Sequence, residues 1–178
     1  MKIPRRRLAL ALLLALALPA PAADPIAPAE VRAAQQAWGD AIVAIGAAHA
    51  QGGDAPAVAR QALATLYAYD LGPVLFKPTK AAALPFRDTF DEALSYFVSG
   101  AVPEDHGFAL QPWSAVRFGD QTITADSDSA AAMGHYFFTD AASGAETQVE
   151  FTFGYLRDSA GRLRINLHHS SLPYQPHP

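Results

Sequence analysis

Residues 146–171 read ETQVEFTFGYLRDSAGRLRINLHHSS, and their pattern decides the fold. Two runs with an apolar/polar period of two, Glu146–Arg157 and Arg162–Ser171, flank Ser159-Ala160-Gly161, a group of turn formers. That arrangement predicts an antiparallel hairpin. Moving toward the N-terminus, the same period holds back to Trp113 and predicts strands near Ala115–Gly119, Gln121–Ser127 and Ala131–Thr139. Gly119-Asp120 and Ser143-Gly144 stand at the expected turns.

Before Trp113 the period lengthens. Val31, Ala34, Trp38, Ile42 and Ile45 recur every three or four residues, which lays one apolar stripe along a helix that Gly52-Gly53 ends. Asp54 can cap a second helix with Val58, Ala62, Leu66 and Tyr69 on one face, broken at Gly72-Pro73. Val74-Leu75-Phe76 predicts a short strand, and Lys77-Pro78-Thr79 turns out of it. Thr89 and Glu92 have the spacing of a capping box and open a third helix through Ala93, Leu94 and Phe97, stopping at Gly100. Helices first and an antiparallel meander last predict an α+β fold, with the helices packed on one face of a strongly curved, mainly antiparallel sheet.

The first 23 residues follow a different grammar. Lys2, Arg5, Arg6 and Arg7 precede an apolar run, Leu8 to Leu18, and then Ala20-Pro21-Ala22. This predicts a secretory signal peptide cleaved near Ala22 or Ala23, an exported (periplasmic or secreted) product, and a single mature domain over 24–178. Four of the 13 Lys and Arg lie in that segment and none of the 17 acids does. The mature part therefore carries 9 basic and 17 acidic residues, a formal charge of −8. Such a balance, with no basic stripe, argues against a nucleic-acid partner. No second long apolar run predicts a membrane partner after cleavage. With no cysteine in the chain, disulfides, thiolate metal sites and thiol catalysis are excluded.

The polar end of the last strand, His168-His169-Ser170-Ser171, is the strongest candidate for chemistry. Side chains alternate across a strand. Leu163, Ile165 and Leu167 then share a face with His169 and Ser171, while Arg164, Asn166, His168 and Ser170 share the other. The apolar face must meet the helices, so His169 and Ser171 are expected to face the interior; a bulge at the doublet would exchange the two faces. Adjacent histidines on a strand point apart and do not chelate one ion. His49, His106 and His135 are scattered, and no HxH or HExxH spacing occurs. Asp91, Glu92, Asp126 and Asp128 read as surface or loop acids. There is no Gly-rich phosphate loop and no nucleophile elbow.

The ending Arg164-Ile165-Asn166-Leu167-His168-His169-Ser170-Ser171-Leu172-Pro173 resembles the terminal signature of the iota-class carbonic anhydrases. Phe76-Lys77-Pro78-Thr79, Ser95-Tyr96-Phe97, Gly134-His135-Tyr136-Phe137-Phe138-Thr139 and Thr152-Phe153-Gly154-Tyr155 resemble it too, so the likeness runs from about Trp38 to Tyr174. The resemblance implies a cone-shaped, cystatin-like α+β fold and hydration of carbon dioxide to bicarbonate. It implies a bicarbonate site of Thr79, Tyr96, His169 and Ser171, the last two chosen over His168 and Ser170 by the strand-face argument. Phe76, Phe97, Tyr136 and Phe153 are candidate apolar walls. No metal cofactor is expected. The alternatives are a zinc- or manganese-dependent version of the enzyme and a non-enzymatic small-ligand-binding or oligomerisation module. A homo-oligomer, a dimer, is expected through the outer sheet face, which carries Arg164, Asn166 and His168.

Overall fold

A computed structural model describes residues 24–176; the expected signal peptide lies outside the described residues. Helix α1, Pro28–Ala50, begins at a proline whose missing N–H costs nothing in a first turn. The Glu30 carboxylate accepts the Ala27 N–H at 2.8 Å and also pairs with Arg157 at 2.9 Å, which ties the helix start to the far end of a strand. Val31, Gln35, Trp38, Ile42 and Ile45 form its buried stripe. Helix α2, Ala55–Leu66, is capped by Asp54, which accepts from Ala57 N–H at 2.9 Å. It stops short of the expected Tyr69: Tyr67 is already extended and bridges Ile165 of the last strand. Helix α3, Phe90–Val98, opens on the Thr89–Glu92 capping box, a feature that contributes roughly 1 kcal/mol.

The five strands among the described residues are β1 (Leu75–Lys77), β2 (Trp113–Ala125), β3 (Ser129–Asp140), β4 (Glu146–Arg157) and β5 (Leu163–Ser171). They form one sheet in the order β1-β5-β4-β3-β2. Only β1, which runs parallel to β5, departs from antiparallel pairing, as a mainly antiparallel sheet requires. The expected turn at Gly119-Asp120 is instead a bulge within one long strand, between Phe118 and Gln121. Its partner is Gly134, where a Cβ would stand 2.4 Å from the Asp120 carbonyl oxygen. A second bulge lies in β5: Tyr155 pairs with Ile165, but the preceding Gly154 pairs with Leu167, so Asn166 is an extra residue. Bulges bend strands and increase their twist, which curls the sheet around the helices.

The β5 bulge overturns the expected strand face. Ile165 is in the core, and after Asn166 the alternation restarts out of phase. His168 and Ser170 therefore face inward, 2% and 4% exposed. Leu167, His169 and Ser171 face outward: His169 is exposed, and the Ser171 hydroxyl lies 3.3 Å from Glu150 on the outer side of the sheet. The outer face does not carry Arg164 and His168 as expected, since both are buried.

The core is aromatic. Trp38 packs against Phe118, Tyr136, Phe138 and Phe153, with ring centroids 5.6–6.4 Å apart, most in edge-on contact. One helical residue thus touches β2, β3 and β4, and through His168 also β5. Gly46 allows α1 to settle this deeply, because a Cβ there would lie 3.0 Å from the Ala109 carbonyl oxygen.

Candidate active site

Three segments meet at the Ser170 end of β5. The parallel register sets Phe76 beside His168 and Lys77 beside His169, so the Pro78–Lys80 turn leaves β1 at that same end. Helix α3 presents Tyr96, whose ring meets Phe76 edge-on at 5.8 Å. The backbone of Lys80 and Thr79 lies against the Tyr96 hydroxyl. Strand β3 contributes Tyr136, whose hydroxyl lies near Ser170. Of the four residues expected, the structure brings Thr79 and Tyr96 together. It adds His168 and Ser170 to them and leaves His169 and Ser171 on the opposite side of the sheet.

His168 is held on every side. Its ring stacks on Phe153 at 4.2 Å and on Phe76 at 4.8 Å, and Trp38 meets it edge-on at 5.2 Å. Trp38 Nε1 donates to Tyr67 Oη at 2.9 Å, and Tyr67 Oη lies 2.7 Å from His168 Nδ1. Donor counting sets the tautomer. The indole can only donate, so Tyr67 receives that bond and turns its single O–H to Nδ1. The ring proton therefore sits on Nε2, a buried atom with no partner among the described residues. Burial, helped by neighbouring His169, holds the His168 pKa down at about 3, so the ring is a neutral N–H donor at physiological pH.

Burial likewise drives the hydroxyls of Tyr96 and Tyr136 far above the ordinary phenol range. Both remain protonated. His168 Nε2–H and the Tyr96 hydroxyl are thus neutral donors among aromatic rings, with Ser170 buried on the His168 face of β5 and Thr79 on the turn whose backbone lies at Tyr96. Neutral donors in a region of low dielectric suit a small anion whose charge is spread over several oxygens.

Residues absent from the sequence reading hold this arrangement. Glu104 accepts the N–H groups of Ala82, Ala83 and Leu84 at 2.8–3.0 Å, and these three bonds keep its carboxyl down at about 2. The buried guanidinium of Arg87 pairs with Asp105 at 2.8 Å and Glu104 at 3.3 Å and also donates to the Leu84 carbonyl. Arg87 N–H donates to the Phe76 carbonyl at 2.8 Å. The loop that carries Thr79 is therefore fastened at its far end. Beside Tyr96 a cleft of about 400 Å³ opens to solvent, lined also by His49, Lys80, Asp105, His106 and Phe108. Among the described residues, no group of three or more His, Cys, Asp or Glu is placed to hold a metal ion, so the zinc or manganese alternative finds no ligand set.

Helices laid across a curled sheet define the chain as a cone-shaped α+β protein. A nuclear-transport-factor-2-like protein of cystatin-like fold from Novosphingobium aromaticivorans superposes with a TM-score of 0.53 at 16% identity, over 83% of this chain and 82% of that one, a likeness of fold alone. Residues 29–172 match the family model of the metal-independent carbonic anhydrases, and the chain belongs to that family. A metal-independent carbonic anhydrase of Nostoc sp. strain PCC 7120 is 44% identical over 155 residues, spanning 84% of this chain and 75% of the relative. The crystal structure of a cyanobacterial iota-carbonic anhydrase complexed with bicarbonate superposes with a TM-score of 0.83 at 42% identity, over 89% of this chain and all of the other.

Proposed function

We propose that this iota-class carbonic anhydrase hydrates carbon dioxide at the pocket formed by Thr79, Tyr96, His168 and Ser170. The observation that carries the assignment is the inward, partnerless Nε2–H of His168 beside Ser170. Carbon dioxide is apolar and suits walls made by Phe76, Phe153 and Tyr136. Bicarbonate is an anion and suits the donors. As a water oxygen bonds to the carbon, negative charge grows on the carbon dioxide oxygens, where His168 Nε2–H and the Tyr96 hydroxyl stabilise it. Ser170 and Thr79 hydroxyls, each able to donate and accept, orient the attacking water. His168 already carries its proton on the site-facing nitrogen and resists a second one, so it acts as a donor and not as a base. No metal enters the reaction, in keeping with the family.

The test is the hydration rate of the purified mature chain with and without exhaustive chelation, alongside Tyr96→Phe and His168→Gln. The reading expects activity that survives chelation and falls at least about tenfold in each variant, the scale of one lost transition-state hydrogen bond. Full activity in both variants would move the site elsewhere.

We also propose export of the mature chain to the periplasm or beyond, supported by the pattern of residues 1–23. Pairing of two copies through the outer sheet face is supported by the exposed Leu75, Phe86 and Met133.

A further inference from the structure

Hydration releases a proton as well as bicarbonate, and the structure constrains where that proton can go. Inward from the pocket the hydrogen-bonded chain runs from His168 Nδ1 to Tyr67 Oη to Trp38 Nε1. It ends on an indole N–H, which donates and has no lone pair to accept, so no proton can be passed along it. His168 itself is stacked between Phe76 and Phe153 and uncharged. A buried imidazolium there would have no counter-charge. Tyr136 and Tyr155, the other buried hydroxyls of that side, are held protonated by burial.

The opposite wall differs. Tyr96, part of the pocket proposed above, also lines the open cleft, and the cleft carries groups that exchange protons. Asp105 is buried there: its Oδ1 pairs with Arg87, and its Oδ2 has no partner among the described residues. His49, from the last turn of α1, and His106, next to Asp105, line the same cleft and are exposed. Lys80 and Glu104 are the remaining charged groups facing them. Imidazole is the side chain suited to moving protons near neutral pH.

We propose that the cleft beside Tyr96 is the proton exit of this enzyme, with the free Asp105 oxygen ordering water at its inner end and His106 and His49 passing the proton to solvent buffer. The inference rests on the carbonic anhydrase reading above. In the step, the water oxygen forms a bond to the carbon of carbon dioxide. One water O–H bond breaks, and the π electron pair of one C=O moves onto oxygen to give bicarbonate. The proton crosses ordered water to an imidazole of the cleft, and a buffer base removes it.

The experiment compares the mature wild-type chain with the His49→Ala/His106→Ala double variant by stopped-flow hydration in dilute and in concentrated buffer, and by isotope exchange between carbon dioxide and bicarbonate at equilibrium. Proton exit through these residues requires kcat in dilute buffer to fall about tenfold while kcat/KM and the equilibrium exchange stay within twofold, with added imidazole restoring kcat. Unchanged kcat in dilute buffer overturns the route. So does a joint fall of kcat and kcat/KM that imidazole leaves uncorrected. A wild-type chain inactive under all conditions would instead overturn the carbonic anhydrase reading, and the exit with it.

Discussion

Replacing Tyr67 by Phe removes one oxygen from the centre of the molecule and tests how His168 is held. In the wild type that oxygen joins two buried groups, accepting from Trp38 Nε1 at 2.9 Å and donating to His168 Nδ1 at 2.7 Å. The phenylalanine ring fills the same space, so no cavity term arises. What remains is a buried N–H and a buried ring nitrogen, both without partners. Each unsatisfied group costs about 1–3 kcal/mol, partly offset because the phenol hydroxyl no longer has to be desolvated, so the expected loss is about 2–5 kcal/mol. For a domain of this size that lowers Tm by roughly 5–15 °C. Urea titration at constant m-value measures the loss. Nitrogen NMR of the ring reports the tautomer: Nε2–H in the wild type, and no longer pinned in the variant. A stability change below about 0.5 kcal/mol, or a wild-type ring protonated on Nδ1, would refute the donor count.

Other consequences follow from the same contacts. His168 takes its proton at about pH 3 when folded, against 6.5 ordinarily, so below pH 6.5 the unfolded chain binds more protons. Its contribution is fully present above pH 6.5 and is lost as pH falls toward 3, at up to about 1.4 kcal/mol per pH unit; denaturation curves between pH 6.5 and 5 should flatten in His168→Gln. Glu104→Gln weakens the acceptor for three backbone amides, so hydrogen exchange at Ala82, Ala83 and Leu84 should speed up and KM should rise. In the wild type this anchor is present above the ordinary carboxylate range and is lost as pH falls through about 2. Gly154→Ala places a Cβ 2.9 Å from that of Leu167 and 3.0 Å from Asn166 Oδ1 at the β5 bulge; calorimetry should show a loss of about 1–3 kcal/mol, and an unchanged Tm would mean that the bulge is not tightly packed.

Much of the fold was legible because its signals are local. The Thr89–Glu92 capping box, the Asp54 cap and the α1 stripe appear where the sequence puts them, and the four long strands follow the period of two. What escaped depends on pairing between strands. A single extra residue, Asn166, leaves the composition of β5 unchanged yet exchanges the two faces beyond it, which is why alternation chose His169 and Ser171. A signal for it stood in the opposite strand: Gly154 interrupts an otherwise aromatic and β-branched run, and a glycine inside a strand often marks a bulge. Gly119-Asp120 carries a turn signal for a related reason, since glycine serves bulges and turns alike. Tyr67 was missed because periodicity carried the helix past Leu66. Thr79 and Tyr96 are reachable only through resemblance, because the parallel β1–β5 pairing that brings the Thr79 turn to the end of β5 joins segments about 90 residues apart. Arg87, Glu104 and Asp105 carry no local pattern, and their roles emerge only when the loop closes on them.

The inner face of β5 as the seat of catalysis is tested most directly by Ser170→Ala and Ser171→Ala, measured side by side for carbon dioxide hydration after chelation. The structure requires Ser171→Ala to keep wild-type kcat/KM and Ser170→Ala to lose it by about tenfold or more. An active Ser170→Ala beside an inactive Ser171→Ala would place the reaction on the other face of the sheet and contradict the account.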